Sequence, residues 1–260
     1  MSEPHYKAYL LHQRPYRETS VIVDLLSETE GRVRAVCKGV RGAGKRAGSL
    51  RAALQPFAEL SLQLGGRTEL KSLRQVERLD TAFDLTQHRL YAALYINELL
   101  VRLLHVGEVH AGLYEDYRLA VGRLAVCADS VSNKGAVGGG LNLGGDMKSH
   151  AEITLRLFEF RLLAALGFAI DFSFEVSSGR SVESTRQYHF DAGDGFTLAP
   201  DGSDETAAEL FSGECLQALQ RKDLSDPVVR RAAKKIARAA LAPHLGSRPL
   251  KSRELYRRRS

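Results

Sequence analysis

Residues 31–51 read G-R-V-R-A-V-C-K-G-V-R-G-A-G-K-R-A-G-S-L-R. The first half alternates, with Arg32 and Arg34 on one side of an extended chain and Val33, Ala35 on the other. That is the period of a half-buried β-strand. The second half carries Gly39, Gly42, Gly44 and Gly48 and reads as a flexible loop. Seven basic residues stand in the stretch, Arg32, Arg34, Lys38, Arg41, Lys45, Arg46 and Arg51, with no acid among them. Mobile cations on such a strand and loop can follow a chain of phosphates. A solvated loop whose charges serve only solubility has the same composition.

Around this stretch the first eighty residues read as strands: Lys7–Gln13, Ser20–Ser27, Arg32–Cys37, Pro56–Leu64 and Thr68–Val76. Turn chemistry separates them at Arg14-Pro15, Glu30-Gly31, the glycine-rich loop and Gly65-Gly66. Five short strands in that length predict a small barrel such as an OB-fold, a platform for single strands, and periodicity leaves an SH3-like barrel open. Tyr6, Tyr9, Tyr16 and Phe57 lie in these strands, placed either to stack bases or to fill the barrel.

From Leu85 the period becomes helical through L-Y-A-A-L-Y-I-N-E-L-L-V-R-L-L, with further helices expected at Leu113–Ala128 and Ala151–Leu166, the latter ended by Gly167. A glycine- and asparagine-rich connector, residues 130–146, separates them and carries no assigned chemistry. Residues 171–204 look irregular or short-stranded, with a hairpin at Asp194-Gly195. Helices return at Glu205–Arg221 and Val228–Leu241, the last begun by Asp226-Pro227 and stopped by Pro243. The expected organisation is α+β: an OB-fold domain at 1–80 and a mainly helical domain at 81–260, ending in a basic helix and tail.

Charge is unevenly placed. Residues 1–80 carry 14 basic and 9 acidic groups, residues 81–220 carry 10 and 19, and residues 221–260 carry 13 and 3. An acidic middle between two basic ends points to nucleic acid at the ends, or to an ordinary solvated acidic body. The opening M-S-E-P-H-Y-K has no signal-peptide core and no apolar run reaches membrane-spanning length, so a cytoplasmic protein is expected, without membrane contact. Cys37, Cys127 and Cys215 are odd in number and scattered, which argues against a disulfide framework and a zinc ribbon.

Catalytic motifs fail on inspection. Gly39–Lys45 fits G-x-x-x-x-G-K, but Arg46 stands where a magnesium-binding Ser or Thr belongs, the following residues begin a helix poorly, and the setting is not βαβ. No His-x-x-x-His or Cys-x-x-Cys pair exists, so no metal or other cofactor is expected. Asp171, Asp191, Asp194, Asp201 and Asp204 suit a nuclease magnesium site less well than a solvated surface, and Asp191 and Asp194 flank a turn whose N–H groups they are expected to cap. No catalytic residue is assigned. A metal-dependent nuclease or NTPase and an OB-fold RNA-binding protein remain the alternatives to a DNA-binding protein.

Four segments together resemble the bacterial RecO family of recombination mediators. They are Arg14-Pro15-Tyr16-Arg17-Glu18-Thr19-Ser20 with Gly31-Arg32-Val33-Arg34 and Lys38-Gly39-Val40-Arg41; Leu54-Gln55-Pro56-Phe57; Leu94-Tyr95-Ile96-Asn97-Glu98-Leu99-Leu100; and Gly246-Ser247-Arg248-Pro249-Leu250-Lys251-Ser252-Arg253-Glu254-Leu255. The resemblance implies an OB-fold followed by a helical domain and a non-enzymatic role in recombinational repair. It implies binding of single- and double-stranded DNA, annealing of complementary strands and, with RecR, help in loading RecA onto strands coated by single-stranded-DNA-binding protein (SSB). Many members carry a four-cysteine zinc module, and this sequence looks like the zinc-free branch, since residues 172–196 hold no cysteine. By the same resemblance, Leu155-Arg156-Leu157-Phe158-Glu159 places Arg156 as the arginine that receives the acidic SSB tail. An arginine paired with Glu152 or Glu159 one turn away is the plain alternative.

The expected DNA contacts are Arg32, Arg34, Lys38, Arg41, Lys45 and Arg46, extended by Arg230, Arg231, Lys234, Lys235 and Arg238 on the basic helix, where Arg230, Lys234 and Arg238 share one face.

Overall fold

A computed structural model of the chain describes residues 4–83, 85–126, 143–200, 209–252 and 254. The alternating stretch forms strand β3 (Gly31–Cys37), with Val33, Ala35 and Cys37 buried and Arg32, Arg34 and Val36 partly exposed. Around it stand β1 (His5–Tyr16), β2 (Ser20–Ser27), β4 (Glu59–Gly65) and β5 (Leu70–Arg78). They close a barrel in the order β1-β2-β3-β5-β4, antiparallel except where β3 runs parallel to β5. Ala8, Leu10, Val23, Leu25, Ala35, Leu60 and Leu62 fill its interior. This order, with a helix between the third and fourth strands, is that of an OB-fold and excludes the SH3-like reading.

That helix, α1 (Lys45–Ala53), corrects the sequence reading, which made the whole of residues 38–51 a loop. Gly44 begins it at φ 91° with no side-chain cap, and its own propensity is modest. Packing supplies what local signals lack: Ala47 and Leu54 are buried, and Leu50 packs on the barrel core. A strand, a G-x-x-x-x-G-K run and a helix therefore do follow one another. The P-loop still fails, because Arg46 stands where the magnesium ligand belongs and β3 sits in a closed barrel beside antiparallel β2, outside any βαβ unit.

The chain divides into two compact units, Met1–Gly138 with Pro249–Ser260, and Gly139–Arg248. The first takes in α2 (Gln87–Leu103) and α3 (Leu113–Val126) with the barrel, whereas periodicity alone drew a line at residue 80. The physical reason is a bulge in β1. Register with β2 slips between Leu10 and His12, so the Leu11 carbonyl loses its ladder partner. The Asn97 amide of α2 donates to that carbonyl (3.0 Å), and Tyr117 of α3 donates to the Asn97 oxygen (2.8 Å). Tyr9 packs against Tyr114 and Tyr117, with ring centroids 5.3 and 5.0 Å apart. Burial pushes all three hydroxyls well above the usual tyrosine pKa. Gly31 adds a backbone contact: at φ 63° it lies so close to the Glu108 carbonyl that a Cβ would stand 1.9 Å from it.

The C-terminal segment returns to the same unit. Glu98 on α2 accepts the Lys251 N–H (2.9 Å), the Ser252 N–H (2.8 Å) and the Ser252 hydroxyl (2.6 Å). Burial opposes its charge, but these hydrogen bonds outweigh it and hold the carboxyl below the usual glutamate range.

The second unit contains α4 (Leu143–Ala165), the hairpin β6 (Gln187–Asp191) and β7 (Gly195–Leu198), β8 (Leu210–Ser212), α5 (Gly213–Gln220) and α6 (Pro227–Leu245). The sheet order is β7-β6-β8, and the hairpin turns where Asp194-Gly195 predicts. Three boundaries move. Helix α4 begins within the expected connector, most of which lies outside the described residues. Helix α5 starts only at Gly213, after β8, with the Ser212 hydroxyl accepting from the Cys215 N–H (3.3 Å), and residues 201–208 lie outside the described set. Asp226 caps α6 through the Val228 N–H (2.7 Å) as expected, but Pro243 sits inside the last turn and Gly246 ends the helix. No helix among the described residues is long and apolar enough to cross a membrane.

Two outcomes test this account. Asn97→Ala leaves two buried groups unpaired and is expected to lower stability by about 2–4 kcal/mol in urea unfolding. Glu98→Gln is expected to speed amide exchange at Lys251 and Ser252 about tenfold, the factor of one charge-assisted bond. In the parent chain, stabilisation by Glu98 is complete above the unfolded glutamate pKa of about 4.3 and is lost as pH falls through its lower folded value.

Candidate nucleic-acid interface

One end of the barrel gathers cations from two loops. In the β1–β2 turn Arg17 adopts φ 51° and its guanidinium lies 5.2 Å from the Tyr16 ring centroid. The loop after β3 folds onto that turn: the Arg41 N–H donates to the Thr19 carbonyl (2.9 Å), and its guanidinium to the Arg17 carbonyl (3.3 Å). From α1, Arg51 donates to the carbonyls of Val40 (2.8 Å) and Gly42 (3.1 Å), fixing the loop from the other side. Arg17, Lys38, Arg41, Lys45, Arg46 and Arg51 are all exposed, and none forms an ion pair among the described residues. Arg46 also reaches back toward Cys37, favouring its thiolate, although burial dominates and raises that thiol's pKa.

The other expected barrel contacts are differently placed. Arg32 is held by structure. Its guanidinium donates to buried Asp24 (2.6 and 3.1 Å) and to the Leu104 carbonyl (2.9 Å), and its side chain is only 13% exposed. Alternation correctly puts Arg32 outside the barrel, but the segment after α2 covers that part of the outer face; the Gly107 N–H donates to the Arg32 carbonyl (2.8 Å). Arg34, one step further along β3, stays partly exposed and pairs with Glu69 of the β4–β5 loop. Tyr9 and Phe57 are buried and unavailable for stacking, whereas Tyr6 and Tyr16 are partly exposed.

The basic helix is largely neutralised within its own unit. Arg230 and Lys234 do share a face, and both approach Glu152 of α4, at 4.0 and 3.7 Å. Arg230 also donates to the Leu224 carbonyl (2.9 Å), and Lys235 pairs with Glu209 (2.5 Å). Arg238 has a partner too. Arg231 is exposed and makes no ion pair among the described residues. Arg156 is buried, 5% exposed, with its guanidinium 3.0 Å from the fully buried Glu159, so it is neither open to solvent nor the exposed, ion-paired arginine of the plain alternative.

Among the described residues no cluster of three or more His, Cys, Asp or Glu is arranged to hold a metal. Asp191 accepts from the N–H groups of Gly193 (2.7 Å) and Asp194 (3.1 Å), the local capping expected at that turn, and Asp171 accepts from the Ser173 N–H (2.8 Å). Asp201, Asp204 and Cys127 lie outside the described residues. Residues 172–196 do not fit a four-cysteine zinc module. Phe172 and Phe196 lie 5.7 Å apart in a chain of rings with Phe160, Phe190 and Phe211.

Residues 1–82 match the family model for the recombination protein O N-terminal domain, and residues 141–254 that for its C-terminal domain. The chain belongs to the RecO family. It is 39% identical over 251 residues to the DNA repair protein RecO of Enterobacter sp. (strain 638), covering 96% of this chain and 95% of that one. The proteins of the same name from Shigella boydii serotype 18 and Escherichia coli O139:H28 show the same identity, over 96% of this chain and 93% of theirs. A RecO N-terminal domain at 1–82 coincides with the barrel, and so ties the repair family to the element that carries the cationic end.

Sequence reasoning missed Arg17. Within the barrel, charge density pointed only at residues 31–51; the strand–turn–strand pattern could have found Arg17, since it puts the β1–β2 turn beside the end of β3 in a five-stranded barrel. The two kinds of arginine should separate in one experiment. Arg32→Ala strands buried Asp24 and is expected to cost about 3 kcal/mol in urea unfolding. Lys45→Ala removes an exposed charge and should change stability by less than about 0.5 kcal/mol.

Proposed function

We propose that the chain is a DNA-binding recombination mediator without catalytic residues. In this reading it binds single- and double-stranded DNA through phosphates, anneals complementary strands and, with RecR, helps load RecA onto SSB-coated single-stranded DNA. The observation that carries the reading is the group of six exposed cations, Arg17, Lys38, Arg41, Lys45, Arg46 and Arg51, at one end of an OB barrel and without an ion pair among the described residues. Family membership supports the repair setting, and a cytoplasmic, nucleoid-associated site of action goes with it. The second unit is read as that of the zinc-free branch, residues 172–196 having no cysteine, and no cofactor enters the proposal.

The chemistry suits annealing. Guanidinium and ammonium groups neutralise phosphate without engaging base edges, so two strands held at such a surface repel each other less and keep their pairing faces free. Tyr16 beneath Arg17 offers a face on which a base can stack, which adds affinity without sequence preference. The double-stranded contact uses the same phosphate chemistry. Arg231 is the α6 residue best placed to contribute, being exposed and without an ion pair among the described residues. The SSB-tail role of Arg156 belongs to the same proposal: its guanidinium lies 3.0 Å from Glu159, and a tail carboxylate would have to share it.

Six neutralised phosphates predict a log–log salt slope near −4 on single strands, at about −0.7 per phosphate. The triple variant Lys38→Ala/Lys45→Ala/Arg46→Ala should flatten that slope by about 2 and slow annealing of SSB-coated strands. Binding that is equally tight at low and high salt, or a triple variant that anneals like the parent, would sink the reading.

A further inference from the structure

The groove beside the covered part of β3 holds a device that the proposed DNA-binding role leaves unexplained. An open cleft of about 340 Å³ is lined by Arg32, Arg34, Glu69, Leu104, His105 and Val106. Arg32 is tied to Asp24 and the Leu104 carbonyl, and so forms a fixed wall. Arg34 is the cation that faces the opening. One terminal nitrogen of its guanidinium donates to Glu69, and its Nε has no hydrogen-bond partner among the described residues.

Glu69 comes from the loop between β4 and β5, one residue before Leu70, which stands opposite Arg34 in the parallel β3–β5 ladder. In OB-folds the face of the second and third strands and this loop are the elements that meet oligonucleotides. The Glu69 side chain is 61% exposed, against 34% for Arg34. An exposed carboxylate in such a pair contributes little and is displaced easily. A phosphodiester offers Arg34 the same acceptor geometry, with two oxygens able to take the fork of the guanidinium.

We propose that Glu69 is an intramolecular stand-in for phosphate: it occupies Arg34 in the free protein and must be displaced before a DNA backbone can enter the cleft. The inference rests on the barrel being the DNA-binding element and names a residue that regulates it. A tethered carboxylate competes at high effective concentration, so it lowers affinity at this position without closing it. Strands are then held firmly by the six free cations and only conditionally at Arg34. A protein that must release a duplex after pairing its strands gains from one contact that is easily surrendered.

The test compares binding of a labelled oligothymidylate by the full chain, Glu69→Gln, Glu77→Gln, Arg34→Ala and the double variant Arg34→Ala/Glu69→Gln. Glu77 lies exposed on β5, the strand that follows Glu69, so its change controls for net charge. Glu69→Gln should bind about threefold tighter at about 0.15 M salt, the scale of one exposed ion pair. Its salt slope should steepen by about 0.7, one additional phosphate. Glu77→Gln should match the parent, and the gain should vanish in the Arg34→Ala background. No gain in Glu69→Gln, an equal gain in Glu77→Gln, or a gain that survives loss of Arg34 each overturns the gate while leaving DNA binding intact. A parent chain that does not retain the oligonucleotide overturns the binding reading, and the gate falls with it.

Discussion

The Asn97 amide bridging the Leu11 carbonyl to Tyr117 is the constraint on which the first unit depends. A bulge in β1 strands one backbone acceptor inside a protein, and a buried unpaired carbonyl is costly. Asn97 answers it from α2 and is itself answered by Tyr117 from α3, so one polar chain fixes barrel and two helices in register. Apolar packing alone would let those helices slide on the outer wall. The hydrogen bonds, with Tyr9 between Tyr114 and Tyr117, leave one position. Glu98, the next residue on α2, uses the same rigid helix to hold Lys251 and Ser252.

This arrangement decides which positive charges remain for a ligand. Once α2 is fixed, the segment that follows it covers the outer face of β3 at Arg32, and Arg32 becomes a strut between Asp24 and Leu104. Two residues along β3, Arg34 is beyond that cover, and after β3 the cations are fully exposed. A strand with uniform chemistry in the sequence thus grades from structural to available over a few residues. The boundary is set by where the helical wall stops. The basic helix α6 repeats the lesson in the second unit, where Glu152 and Glu209 engage three of its cations.

The barrel and the helical periodicity were legible because alternation and 3.6-residue spacing are local properties of the chain. Strand limits at Ser20–Ser27 and Gly31–Cys37, the hairpin at Gly195 and the Asp226 cap all rest on such signals. Helix α1 was not legible, because Gly44 and Gly48 weaken it locally and burial of Ala47 and Leu54 against the barrel makes it. The candidate site was half legible for a related reason. Composition reports that a residue is charged and periodicity that it faces outward. Neither reports a carboxylate arriving from eight residues away, as Asp24 does for Arg32, or from thirty-five, as Glu69 does for Arg34.

Arg156 shows the same limit in the opposite direction. A motif carried over by resemblance made Arg156 the receptor of an acidic tail, and Glu152 and Glu159 were present in the sequence as competitors. In a half-exposed helix the pair would be weak and the guanidinium open to a better acceptor. Here both groups are buried, so the pair is shielded from water and an incoming carboxylate would have to compete with Glu159 inside the protein, a cost that an exposed arginine does not impose. The contrast with Arg34 is instructive: the same arginine–glutamate pairing is a lock where both partners are buried and a gate where the acid is in water. Burial of the acid, more than identity of the pair, therefore determines whether an ion-paired arginine in this protein can serve a ligand.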